Sequence, residues 1–214
     1  MEITSSRTPR LLGLLAAVAV LGGALAATPA SAAPAKPGGA GVMRGHCVAN
    51  LKPGVNKASA LHCFSTFTQA ISYATGGVVS DAPAKATASA ALAAKFEAAN
   101  AAARRVSPQA AAPMIVGVEY SDPNFTGWTL TMSVTSGCTL TTTDVDYSLD
   151  LPSPLWDQIS SYTNTSLCFT DHYYLSNFGN PHTGFLDDAA TMPSMNVDGG
   201  PFNGDNNTRS ITWS

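Results

Sequence analysis

The stretch Tyr120-Ser-Asp-Pro-Asn-Phe125-Thr-Gly127 decides the fold of the C-terminal half. An apolar run ends at Tyr120, Pro and Asn turn the chain, and two rings five residues apart fall where they can pack across a hairpin. Gly127 supplies a backbone position that a side chain would block. About thirty residues later Trp156-Asp157-Gln-Ile-Ser160-Ser161 provides a polar loop that leads into a further strand.

Working outward, Met114-Ile-Val-Gly-Val-Glu-Tyr120 and Gly127-Trp-Thr-Leu-Thr-Met-Ser-Val134 alternate apolar with polar or small residues. That period predicts strands with one buried face. The hairpin signature then recurs in Cys168-Phe-Thr-Asp-His-Tyr173-Tyr-Leu-Ser-Asn-Phe178-Gly-Asn180, with Tyr173 and Phe178 spaced like Tyr120 and Phe125. Asn180 takes the place of the glycine, and Asn is the next best residue at positive φ. Asp205-Asn206-Asn-Thr-Arg209-Ser210-Ile-Thr-Trp213 supplies a second loop and a final strand.

Two hairpins of this form, each followed by such a loop, resemble the βγ-crystallin family over about 100 residues. The resemblance implies an all-β class: a two-Greek-key β-sandwich over 114–214. In that family the paired loops commonly hold calcium. Short Asp/Asn/Ser loops suit an ion that takes six to eight oxygen ligands. By position the metal ligands would be Asp157 and Ser160 in the first loop, with Asp205 and Asn206 in the second. Two departures, Trp156 at an acidic or amide position and Arg209 at a hydroxyl position, leave at most one weak site. The alternative is that Asp157, Ser160, Ser161, Asp205 and Ser210 only hydrogen-bond their own loops. Tyr120, Phe125, Trp156, Tyr173, Phe178 and Trp213 read as core and corner residues.

Residues 1–32 have the parts of a secretory signal: Arg7 and Arg10, the apolar run Leu11 to Ala26, and Ala30-Ser31-Ala32 as cleavage site. Export implies an extracellular destination and oxidised cysteines. Four cysteines allow three pairings, and Cys47 with Cys63 and Cys138 with Cys168 are favoured because each pair lies within one compositional block. Closing the second loop is worth about 3 to 4 kcal/mol in the chain-entropy model. Loss of the signal removes Glu2, Arg7 and Arg10 and takes the formal charge from −3 to −4. An acidic balance argues against nucleic-acid or anionic-membrane partners.

Between signal and sandwich, 33–41 reads as a flexible leader and 33–80 as a small disulfide-linked α/β segment or pro-region; a cut in the linker that follows would shed 33 to about 111, and the alternative is an accessory module that stays attached. Cys47-Val-Ala-Asn-Leu predicts a strand, and Cys63 to Ala74 an amphipathic helix with Phe64, Phe67, Ile71 and Ala74 on one face. Residues 81–113 turn Ala-rich, with Leu92 and Phe96 as the only large apolar residues before Val106. The expectation there is a linker with too little apolar surface to dock, and an exposed Arg104-Arg105.

No nucleophile, zinc-protease or phosphate-loop motif occurs. Asp171 and His172 are chain neighbours on a predicted strand and point to opposite faces. A zinc site from His46, Cys47, His62 and Cys63 competes poorly with disulfide formation. The composite expectation is a secreted, monomeric, non-enzymatic binding or structural module with weak calcium affinity. A metalloproteinase inhibitor acting on an extracellular proteinase is the alternative, on resemblance to actinobacterial βγ-crystallin-like inhibitors. An inhibitory loop would sit between Cys138 and Cys168, near Pro152-Ser-Pro154. A small exported toxin is a further alternative.

Overall fold

Apolar runs on either side of the Asn124 turn pair as a long antiparallel hairpin, β3 (Met114–Asp122) with β4 (Thr126–Val134). The structure, a computed structural model, describes residues 45–105, 112–139, 141–192, 194–197 and 200–214. The expected signal and leader lie outside the described residues. After the hairpin come β5 (Tyr147–Asp150), a 3-10 turn at Ser153–Leu155 and β6 (Ser161–Asn164). The second half gives β7 (Thr170–Leu175), β8 (Gly179–His182), a hairpin of β9 (Ser194–Val197) and β10 (Gly200–Asn203), and β11 (Ser210–Trp213).

The strand order exchanges third strands between the halves. β5 leaves its own hairpin and pairs with β11, giving a sheet ordered β5-β11-β7-β8. In return, Ala189 of the second half bridges to Tyr162 on β6, which lies beside β3 in the first sheet. Two Greek keys thus interlock, and their inner faces share one core built from Val116, Leu130, Met132, Tyr162, Leu149, Ile211 and Trp213.

The segment before the sandwich belongs to the same sheet. β1 (His46–Asn50) runs parallel to β4, and β2 (Ala60–Phe64) pairs antiparallel outside it, so the first sheet reads β2-β1-β4-β3-β6. Disulfides join Cys47 to Cys63 across this added hairpin, and Cys138 to Cys168 between the exit of β4 and the entry of β7. The helix expected from Cys63 begins only at Phe67. Residues 60–64 extend instead against β1, and Thr66 caps α1 (Phe67–Ala74) by accepting the Gln69 N–H.

The linker expectation for 81–113 is corrected over half its length. Ala90–Arg105 forms the helix α2, with Leu92, Phe96, Ala99, Asn100 and Ala103 buried. Apolar area alone did not predict docking, and the missing contribution is polar. Asn100, 0% exposed, donates to Ile115 O at 2.8 Å and accepts the Ile115 N–H at 3.0 Å, so one side chain satisfies both backbone groups of a β3 residue. Its amide also donates to Thr165 and Ser166, and Glu97 accepts the Ser166 N–H at 2.8 Å.

With α1 and α2 on its outer face, the first sheet is buried on both sides, which corrects the one-face expectation for β3. Ile115, Val118, Tyr120 and Val48 pack outward against Phe67, Ile71, Leu92 and Phe96. A register shift between Ile115 and Gly117 resets the alternation, so Val116 and Glu119 both turn inward. The result is three layers: helices, sheet, sheet.

Candidate calcium-type loops

Both hairpins are built alike. Asn124 and Phe125 have φ of 58° and 62°, and Asn177 and Phe178 have 56° and 61°. Left-handed residues fold each turn back, so the Phe ring meets its Tyr edge-on, at 5.6 Å for Tyr120–Phe125 and 5.7 Å for Tyr173–Phe178. A serine from the following loop pins each turn. Ser161 Oγ accepts the Phe125 N–H at 3.0 Å and donates to Asp122 O at 2.7 Å. Ser210 Oγ accepts the Phe178 N–H at 3.0 Å and donates to Leu175 O at 2.7 Å.

One expected equivalence fails. Gly127 sits at φ 85°, where an added Cβ would lie 2.0 Å from Ser121 Oγ. Asn180 is not among the residues of positive φ, and the Asn180–Pro181 bond that follows is cis. The second hairpin therefore takes a different path there and does not ask its Asn for a left-handed conformation.

The loops face each other across a pseudo-twofold relation. Asp157 N–H donates to Thr208 O at 3.0 Å, and Asn206 N–H donates to Ile159 O at 2.9 Å. Asp157 and Asn206 are both left-handed, at φ 58° and 53°. Each then meets a side chain of the opposite loop, and here the two halves part. Asp157 meets Arg209: Nε lies 3.1 and 3.2 Å from the two carboxylate oxygens, and Nη2 lies 2.9 Å from Oδ2. Asn206 Oδ1 meets Ser160 Oγ at 3.4 Å, with Asp205 Oδ1 accepting the Asn206 amide at 3.2 Å.

Arg209 is held further by rings. Its guanidinium carbon lies 5.3 Å from the ring centres of both Trp156 and Tyr174, and Trp156 is fixed by its Nε1–H donating to Leu151 O at 2.6 Å. Asp157 beside it raises the guanidinium above its ordinary range. Of the sequence-nominated ligands, the fold brings Asp157 to Arg209 and brings Ser160, Asp205 and Asn206 together. Calcium does not fit the Asp157 half, because both carboxylate oxygens are already engaged by a tethered cation. The other half offers one carboxylate and two neutral side-chain oxygens. Among the described residues, no three His, Cys, Asp or Glu side chains converge so as to hold a metal ion.

Sequence reasoning missed a carboxyl–imidazole contact in the core. Glu119 on β3 and His172 on β7 meet between the sheets, Oε2 to Nε2 at 3.1 Å, with side chains 1% and 0% exposed. The imidazole packs 4.5 Å from the Tyr162 ring. Asp171, one residue away, points to the other face of its sheet and binds His182 Nδ1 at 2.7 Å, so the neighbouring Asp and His serve different partners.

Interlocked Greek keys with exchanged third strands, serine-pinned aromatic hairpins and facing polar loops define a βγ-crystallin-like fold. The chain is similar to a βγ-crystallin domain from Flavobacterium johnsoniae at 22% identity and TM-score 0.32, covering 46% of this chain and 93% of that one. It is also similar to two mutant forms of a βγ-crystallin domain from Clostridium beijerinckii. A double mutant with two Thr-to-Ser changes matches at 16% identity and TM-score 0.32, over 46% of this chain and 94% of that one. A second mutant, with one Trp changed to Asp, matches at 15% identity and TM-score 0.31, over 46% and 95%. No family model and no curated protein matches the chain. The Greek-key assignment accordingly stands on the strand pairing of this chain.

Proposed function

We propose that this is an exported, non-enzymatic, βγ-crystallin-like module that folds without calcium because Arg209 occupies the cation position of its first loop pair. The observation that carries this is the fork of Arg209 on both oxygens of Asp157. Export is supported by the signal-like N-terminus and by two disulfides. Among the described residues no helix is long and apolar enough to cross a membrane.

Thermal unfolding of the full chain in chelator and in excess calcium tests the reading. A site saturated at ~100 times its dissociation constant would add about 2.7 kcal/mol, a shift of several degrees for a chain of this size. Coincident melts are expected for the wild type. Arg209→Ser frees Asp157 and restores a hydroxyl, so this variant alone should gain a calcium-dependent shift. A wild-type shift of several degrees that vanishes in Asp157→Ala would overturn the proposal.

A second reading, proteinase inhibition, is favoured by one feature. Pro152, Ser153 and Pro154 are exposed on a 3-10 turn whose flanking Leu151 and Leu155 are buried, inside the loop closed by Cys138 and Cys168. A turn braced in this way loses little ordering entropy on docking. Failure of the chain to slow a panel of metallo- and serine proteinases at micromolar concentration would eliminate it.

A further inference from the structure

We infer that the cavity between α2 and the β3–β4 hairpin binds a small organic cation, an ammonium group carried on an apolar or aromatic body. The cavity has a volume of about 260 Å³, and its walls include Leu92 and Phe96 from α2, Tyr120 and Phe125 from the hairpin, and Thr163. Leu92 and Phe96 are 4% and 3% exposed, and the two hairpin rings stand edge to face, so the walls are fixed by packing before any ligand arrives. Preformed apolar walls with few polar groups are the usual make-up of a small-molecule site.

The polar group in this lining that sets ligand charge is Asp188. It stands exposed at the rim, its Oδ1 accepts the Asn164 N–H at 2.6 Å, and it has no ion-pair partner among the described residues. Partial desolvation of the carboxylate, with the adjacent Asp187 carboxylate, pushes its pKa up. The same negative field contributes to the upward shift of the Tyr120 hydroxyl, which burial drives first; this ring lines the cavity, and its hydroxyl's own partners, Thr87 O and Thr163 Oγ1, are both 3.5 Å away. At the start of α2, Ser89 Oγ accepts the Leu92 N–H at 3.2 Å, which occupies one of the donors at that end of the cavity.

An uncompensated carboxylate at the rim of an aromatic-walled cavity is stabilised by a cation and repels an anion. Aromatic faces add cation–π attraction, and the apolar walls take up the ligand body. A neutral ligand of the same shape would gain the walls without the charge. An anionic one would face the Asp188 carboxylate at the rim.

The full chain is titrated with phenethylammonium, and with phenylacetate as an anion of similar body, and followed by amide chemical shifts. Saturable shifts at Leu92, Phe96, Phe125 and Asp188 are expected for phenethylammonium and none for phenylacetate. Asp188→Asn retains an acceptor for the Asn164 N–H but loses the charge, and should weaken binding by about fivefold, the factor that ~1 kcal/mol represents and the upper end for a solvent-screened ion pair. Ala93→Phe places a ring in the cavity from an exposed position of α2 and should abolish binding while the chain stays folded. Equal binding of the two probes, undiminished binding by Asp188→Asn, or no saturable shift in the wild type would each overturn the proposal.

Discussion

Replacing Asn100 by Ala tests whether α2 is a structural layer or a tether. In the folded chain the Asn100 amide donates to Ile115 O, Thr165 Oγ1 and Ser166 Oγ, and its oxygen accepts the Ile115 N–H. Truncation strands that N–H at a buried position, since Ile115 is 0% exposed. An orphaned buried donor costs about 1 to 3 kcal/mol, and the lost donors and vacated volume add about 1 more. The total, about 2 to 4 kcal/mol, lowers the melting temperature by about 5 to 15 °C at the slope typical of 150–250 residues. A loosely held helix responds with the opposite sign, since Ala exceeds Asn in helix propensity by up to about 0.7 kcal/mol. Thermal and urea unfolding of Asn100→Ala therefore decide the matter by sign. A double-mutant cycle with Ser166→Ala should be non-additive, because the two side chains share hydrogen bonds. Wild-type or higher stability in Asn100→Ala would refute the docking of α2 through this residue.

Gly127→Ala should cost about 1 to 3 kcal/mol, from the left-handed φ and the close approach to Ser121, whereas Asn180→Ala at the matching position of the second hairpin should stay within about 1 kcal/mol. Chemical denaturation of the two variants side by side checks the contrast. Ser161→Ala and Ser210→Ala should be destabilising to a similar degree, about 1 to 3 kcal/mol each, because each orphans the backbone N–H of its hairpin Phe; a large inequality would show that the two halves are not energetically alike. Burial lowers the pKa of His46 below 6.5, so the unfolded chain takes up a proton before the folded one does. Stability from this group is complete above 6.5 and falls as pH drops toward the folded value, and His46→Gln should flatten that part of the melting-temperature profile.

The aromatic hairpins were legible because their signal is local: in each, Tyr and Phe lie five residues apart and the two rings meet inside that span. Arg209 was legible as a departure at a hydroxyl position of the second loop, but its fork on Asp157 of the opposite loop was not. The docking of α2 was not legible either, because area arguments count Leu92 and Phe96 and give Asn100 no weight. Yet Leu92, Phe96, Ala99 and Ala103 do recur at helical spacing, and the near-continuous run Met114-Ile-Val-Gly-Val is the pattern of a strand covered on both faces. Those two signals, read together, would have placed a helix on β3. The Glu119–His172 pair left no such trace, since it joins residues 53 apart that lie on strands of two different sheets.

Burial on both faces also bears on whether 33–111 could be shed as a pro-region. Without β1, strand β4 would present an unpaired edge, the kind that natural sheets keep covered. Without α1 and α2, Ile115, Val118 and Tyr120 would face water, and the backbone groups of Ile115 would lose the Asn100 side chain that satisfies them. Arg104 and Arg105 are exposed at the end of α2, but the helix that precedes them is held by buried apolar and polar contacts. A cut after Arg105 would therefore nick the chain while leaving both parts joined through the sheet and its outer core. Release of the upstream part would require that sheet to open.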